Sequence, residues 1–435
     1  MFNTLKNAWK IPDLRKKLLF TLVIIVAFRF GSVVPVPFLD ATALNSIMGA
    51  ANETALGYVN MLTGGAFANA TLFAMGITPY INSSIIIQLL TVAIPALERL
   101  AKEGEEGRKK IAAITRYCTV LLGLLQGTAF YFFLKNNGVT LYNKGFSAVF
   151  SAFIIVLAFT AGTALIMWMG EQINKKGVGN GISIILFAGI IARMPVTLGQ
   201  VWGYFSAAFQ SPQSYGKYFV FAPLFIVLFL AVIWVIVFMN DSERRISVQY
   251  AKKVVGRKMY GGQSTHLPIK VTMSGVMPVI FASSILSIPS TIQMFTNPTG
   301  GFWKGFFNAF SSTGWLYSIL YLILIVAFAY FYMTIQYNPI EMANNLRTNS
   351  GTIPGIRPGR PTAEFISKIL SKVTLIGAMF LAFVAILPII YGNITGMHGL
   401  TMGGTSVIIM VGVALETVKQ IESQMMMRHY KGFLD

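Results

Sequence analysis

Ten apolar runs recur along this chain, each about 17–25 residues long and so long enough to cross a bilayer core as a helix. They lie near 18–34, 71–96, 117–134, 149–170, 181–198, 218–239, 272–292, 315–335, 373–391 and 403–419, with polar interruptions between them. Hydrocarbon offers a backbone no hydrogen-bond partner but itself, so runs of this kind fold as helices. Composition agrees: 55% of the 435 residues are hydrophobic and 11% charged, against about 25% charged in a soluble domain. The expectation is an all-α integral membrane protein with ten transmembrane helices.

The net charge of +19 suits either a nucleic-acid partner or a topology signal. Its distribution decides. With the N-terminus in the cytoplasm, 28 of the 34 Lys and Arg fall in cytoplasmic segments, and the rest, Arg29 and Arg193 among them, lie on the far side or at the far ends of spans. Met1 to Lys17 reads as a basic, amphipathic interfacial helix leading into the first span. It shows no small-residue cleavage site, so it is read as retained. Ten spans divide into two sets of five, residues 1–200 and 201–435. An odd number per set inverts the second half relative to the first, and function is then expected between the halves.

Two helices carry that idea in their residues. GITPYI at 76–81 and GVMPVI at 275–280 share G-x-x-P-x-I, so Gly76, Pro79 and Ile81 answer Gly275, Pro278 and Ile280. They open spans two and seven, the second of each half. Ser84, Gln88 and Thr91 follow at i, i+4 and i+7 and share one face; Ser284 and Ser287 do the same in span seven. Ile81 and Ile85 lie one turn apart on another face. If these isoleucines and Ile280 point inward, they form an aliphatic constriction, which dewets and blocks ions without binding anything. The polar stripes would then form a weakly bonded seam, at about 0.6–2 kcal/mol per interhelical hydrogen bond.

Three irregular segments stand out. Asn52 to Ala70 is too short to span and is punctuated by Gly64 and Gly65; it is a plain outer loop or a short helix folded back into a cavity. In Asp241 to Lys270, Ile246, Val248 and Tyr250 alternate with polar residues as in a strand, and the basic run KKVVGRK follows. Asn338 to Lys372 contains GTIPGIRPGRPT, whose Gly and Pro density forbids helix and holds Arg357 and Arg360 in a stiff exposed turn. Seven Lys and Arg between Arg244 and Lys270 exceed what topology needs and suit nucleic-acid phosphates or an acidic protein surface.

Catalytic signatures are missing. The chain has no phosphate-binding G-x-x-x-x-G-K-[ST], no H-E-x-x-H and no carboxylate pair within the spans. The single Cys118 and the scattered His266, His398 and His429 form no disulfide framework or metal pattern. Glu171 and Glu416 come closest to membrane depth, and neither sits where an ion-coupled carrier keeps its carboxylate. No cofactor is expected, and neither an intramembrane protease nor a solute carrier with inverted repeats finds its residues here.

MGITPYINSSIIIQLLTV, EGEEGRKKIAAITRY, GEQINKKGVGNGISIILFAGI, GGQSTHLPIKV, PGIRPGRPT and GGTSVIIMVGVALE are spread over nearly the whole length, and together they resemble the SecY family of bacterial protein-translocation channels. The resemblance implies a passive, gated pore for unfolded polypeptides in the bacterial plasma membrane that opens laterally between spans two and seven. It implies a pore ring of Ile81, Ile85, Ile182, Leu186, Ile280 and Ile409, with Ile408 the alternative in the last span; Leu186 stands where isoleucine is usual. It implies a lateral gate carrying Ser84, Gln88, Thr91, Ser284 and Ser287. It implies a plug helix near Gly57 to Ala66, with Gly57, Tyr58, Val59, Asn60, Met61, Leu62, Thr63, Gly64 and Gly65. Docking of the SecA motor ATPase or the ribosome would fall to the loops at 240–271 and 336–372. The docking residues there would be Arg244, Arg245, Lys252, Lys253, Arg257, Lys258, Arg357 and Arg360. SecE and SecG are the implied membrane partners.

Overall fold

A computed structural model describes residues 2–40, 43–44, 60, 63–142, 144–250, 253–255, 258–260, 264–272, 275–296, 305, 315–397 and 403–431. A short helix α1 (Phe2–Lys10) ends at Ile11, and α2 (Pro12–Gly31) begins at once. The break therefore comes at Pro12, ahead of the predicted junction at Lys17. A proline at the first helical position lacks only an N–H that would have had no partner there.

Next come α3 (Thr78–Ala93) and α4 (Pro95–Lys102), bent by 102° at Ile94. The rest of the first half is α5 (Glu105–Asn136), α6 (Gly145–Lys176) and α7 (Gly181–Gln210). Asn180 starts α7 by accepting from the backbone N–H of Ile182 at 3.1 Å, the usual N-cap arrangement. After the single turn α8 (Pro212–Tyr215) come α9 (Tyr218–Asp241), α10 (Met277–Thr296), α11 (Trp315–Gln336), α12 (Pro339–Thr348), α13 (Arg360–Thr395) and α14 (Gly404–Lys431).

Each of the ten apolar runs has helix over most of its length, the run at 71–96 being divided between α3 and α4. Among the described residues, seven helices are long and apolar enough to cross a membrane, and eight when α3 with α4 counts as one. The remaining two runs lie on α2, whose first turns carry Arg15, Lys16 and Lys17, and on α10, whose apolar part Met277–Leu286 is shorter.

Helix packing repeats. In the first five spans α2 packs on α6 and α7, α3 on α5 and α6, and α6 on both α5 and α7. In the last five the corresponding helices pair in the same way: α9 with α13 and α14, α10 with α11 and α13, and α13 with both α11 and α14. One core unites the two sets, running from Ile24 and Phe28 on α2 to Val407–Val411 on α14.

The fold is helical apart from strands between α9 and α10 and after α12. β1 (Glu243–Tyr250) alternates buried Ile246 and Val248 with exposed neighbours, as the sequence predicts. It pairs antiparallel with β4 (Ser264–Lys270) and, on its other edge, with β5 (Gly351–Thr352), giving the order β4-β1-β5. β2 (Lys253–Val255) and β3 (Lys258–Tyr260) form a separate hairpin.

Two expectations are corrected. The segment 338–372 holds more helix than its glycines and prolines suggest: α12 fills its start, and α13 begins at Arg360, well before the predicted span at 373. Pro361 sits in the first turn of α13, where proline is tolerated. The predicted span at 71–96 is helical only from Thr78, because residues 72–77 form successive turns.

Candidate functional site

The two G-x-x-P-x-I motifs build the same backbone device. Gly76 and Gly275 both take φ +56°, a left-handed conformation that only glycine adopts without strain. The N–H of Gly76 donates to Phe73 O at 2.9 Å and that of Gly275 to Thr272 O at 3.0 Å. Pro79 and Pro278 occupy the first helical turn in each case. The N–H of Ile81 then donates to Ile77 O, and that of Ile280 to Val276 O. The two isoleucines thus stand at equivalent positions on equivalent helices.

Aliphatic side chains from both helix sets meet in the core. Ile81 of α3, Ile182 and Leu186 of α7, Ile280 of α10 and Ile409 of α14 belong to one contiguous cluster, together with Ile408. Leu186, Ile408 and Ile409 are buried, and Ile81, Ile182 and Ile280 are half-buried. Ile85 is 7% exposed and lies outside the described members of that cluster. Ile81 and Ile280 are packed against the cluster while remaining partly exposed.

The two sets join unequally. On one side α7 packs along both α9 and α14, and α1 rests on α14, where Ala8 of α1 and Leu14 of α2 share a core with Ile421. On the other side, among the described residues, α5 makes a thinner contact with α10. Ser84, Gln88 and Thr91 are half-buried on α3, and the Thr91 hydroxyl donates within its own helix to Gln88 O at 2.6 Å. Ser284 is half-buried on α10; Ser287 belongs to the same helix, and its side chain is outside the described set. Ser83, which the stripe passes over, is fully buried and donates to Thr115 O of α5 at 2.9 Å. The Ser-Ser doublet gave no sign of which hydroxyl turns toward α5. Glu171, one of the two deepest carboxylates, is held by Arg116 Nε at 2.5 Å, tying α6 to α5.

Beyond the cluster lies the outer segment. Gly57, Tyr58, Val59, Met61 and Leu62 fall outside the described residues. Asn60 is helical and buried, and from Thr63 to Ala70 the chain is a run of turns rather than a helix. Gly65 N–H donates to Asn60 O at 2.8 Å, Asn60 Oδ1 accepts from Ala68 N–H at 3.0 Å, and Thr63 Oγ1 accepts from Phe67 N–H at 3.2 Å. Ala66, Phe67 and Ala70 beyond it are buried. Non-helical backbone buried in protein is the condition under which it survives at membrane depth.

The two basic loops form one platform, which the sequence did not reveal. The pairing of Gln249 with Thr352 and of Tyr250 with Gly351 joins them. Beneath lies a small core of Ile246, Ile269, Ile353, Ile366 and Leu370. Arg244, Arg245, Arg357 and Arg360 are exposed on it. Arg245 pairs with Glu243 at 2.6 Å and Arg360 with Glu364 at 3.0 Å, whereas Arg244 and Arg357 have no ion-pair partner among the described residues. Lys253 and Lys258 lie on the β2–β3 hairpin; Lys252 and Arg257 are outside the described residues.

Two matched helix sets, an aliphatic cluster drawn from both and a partly buried non-helical segment describe a multi-pass membrane protein. Residues 71–418 match the family model SecY. The protein translocase subunit SecY of Streptomyces coelicolor is 44% identical, over 100% of both chains. Among solved structures, a protein-conducting channel matches 94% of this chain and 92% of its own, with TM-score 0.63 and 18% identity. Sec61 from a canine ribosome-channel complex covers the same shares, with TM-score 0.59 and 16% identity. The chain belongs to the SecY family of protein translocase subunits.

Proposed function

We propose that unfolded polypeptides cross the membrane between the two helix sets, through a waist ringed by Ile81, Ile85, Ile182, Leu186, Ile280 and Ile409. The carrying observation is the cluster in which five of these six side chains, drawn from both sets, meet. Branched aliphatic groups offer no hydrogen bonds, so they yield around a passing chain and close again, and the closed ring dewets. The outer segment, including Asn60, Thr63, Gly64 and Gly65, seats against this waist as the plug. The thin contact of α5 with α10, beside α3, is the side that parts, releasing apolar segments into lipid. Ser84, Gln88, Thr91, Ser284 and Ser287 line that seam.

The chain does no chemistry of its own in this reading. The strand platform docks the agent that drives transport, the SecA motor ATPase or the ribosome, through Arg244, Arg245, Lys252, Lys253, Arg257, Lys258, Arg357 and Arg360. SecE and SecG complete the complex in the bacterial plasma membrane, with the N-terminus in the cytoplasm. Vesicles reconstituted with all three subunits test this. SecA-dependent protection of a secretory precursor from added protease is expected; saturable uptake of a small solute without protein transport would instead identify a carrier.

A further inference from the structure

Two arginines at the outer ends of spans lie against one turn of the outer segment. Arg29 comes from α2 and Arg193 from α7, and both are half-buried. Arg29 Nη1 donates to Gly64 O at 3.4 Å. A Cβ built on Gly64 would lie 2.7 Å from Arg29 Nη1 and 3.1 Å from Gly189 O, and one on Gly65 would lie 3.3 Å from Arg193 Nη1. Gly189 is one helical turn from Arg193 on α7, so the Gly64–Gly65 turn sits in a socket with a guanidinium on either side. Both glycines have positive φ, +66° and +92°.

Neither arginine has a carboxylate partner among the described residues, and the buried Arg193 Nε finds no hydrogen-bond partner there. A half-buried charge costs free energy unless its donors find acceptors. The Gly64 carbonyl meets that need for Arg29 while the turn is seated, and water would meet it when the passage is wet.

We propose that Arg29 and Arg193 are positioning residues that latch the outer segment in its seat. The latch is the hydrogen bond of Arg29 to the Gly64 carbonyl, with the Arg193 guanidinium packed beside Gly65, and hydration of the passage releases it by supplying both cations with water. This rests on reading the outer segment as a plug, and the test separates the two ideas.

In the reconstituted SecYEG complex carrying Cys118→Ser, Thr63→Cys places a thiol at a buried position of the segment. Labelling of that thiol by a membrane-impermeant maleimide reports unseating, and resting conductance in planar bilayers reports sealing. Arg29→Gln should raise labelling by about tenfold, the effect of losing a charge-assisted hydrogen bond; Arg193→Gln should raise it in the same direction, and the pair by more than either. Arg29→Lys should recover part of the effect. Gly64→Ala, which keeps both arginines but crowds the socket, should unseat the segment too. Unchanged labelling in the double Gln variant would overturn the latch. Raised labelling with unchanged conductance would uphold the latch while contradicting the sealing role.

Discussion

An isoleucine can give a threading peptide nothing but volume and an oily surface, and that is the basis of the waist. Replacing Ile81, Ile85 and Ile280 together with Ser should let water and ions remain in the constriction. Resting conductance in planar bilayers should rise several-fold; an unchanged baseline would count against the ring. Arg357 is exposed without an ion-pair partner on its platform, so Arg357→Glu should cut SecA-driven precursor transport by about tenfold, as reversing an interfacial charge does. Membrane insertion of the variant itself should be normal, and wild-type transport rates would refute the docking role. Ser83→Ala is the contrasting case. Thr115 O also accepts from Thr119 Oγ1 at 2.7 Å, so its loss leaves no bare acceptor and should cost only about 0.6 kcal/mol, read as a small shift in detergent melting temperature. The equivalence of Ile81 and Ile280 was legible because the repeated motif aligns them. Ser83 was not, because neighbouring residues on a helix differ by about 100° and only packing selects between them.

At the scale of elements, the glycine-initiated helices are the clearest link from sequence to structure. A six-residue match predicted equivalence, and the shared φ of +56° at Gly76 and Gly275 supplies its mechanical content. The two sites differ in surroundings: a Cβ on Gly76 would lie 2.7 Å from Thr63 Cγ2, while one on Gly275 meets nothing within 4 Å. Gly275→Ala should therefore cost about 1 kcal/mol of left-handed strain, and Gly76→Ala clearly more. Thermal unfolding of the two purified variants checks that order, and equal losses would show that the Thr63 contact is immaterial. β1 was legible from its alternation, but its pairing with β5 was not. That pairing spans about a hundred residues of sequence, and β5 is only two residues long, too short to show any period. The early start of α13 was hidden by Pro361, which breaks helices in their interior and opens them at their first turn.

For the whole molecule, charge asymmetry and the count of apolar runs conveyed two sets of five, and the repeated packing of α2–α7 in α9–α14 matches that division. The unequal joining of the sets was not legible, since it depends on which faces meet in space. It gives a prediction. A thiol-specific tether between Ser84→Cys on α3 and Ser284→Cys on α10 should block lateral release of apolar segments and slow translocation. A tether joining α7 to α14 across the broad contact should leave both activities intact. Equal effects from the two tethers would mean that the thin side is no gate.

The central claim, a passage through the aliphatic waist, is open to direct interrogation by a chain arrested midway. Photoreactive side chains at Ile81, Ile280 and Ile409 in the assembled translocase should each capture a stalled secretory precursor. The same probe at the outward-facing Trp234, 69% exposed, should capture lipid. Precursor adducts at Trp234, with none at the three isoleucines, would contradict the account.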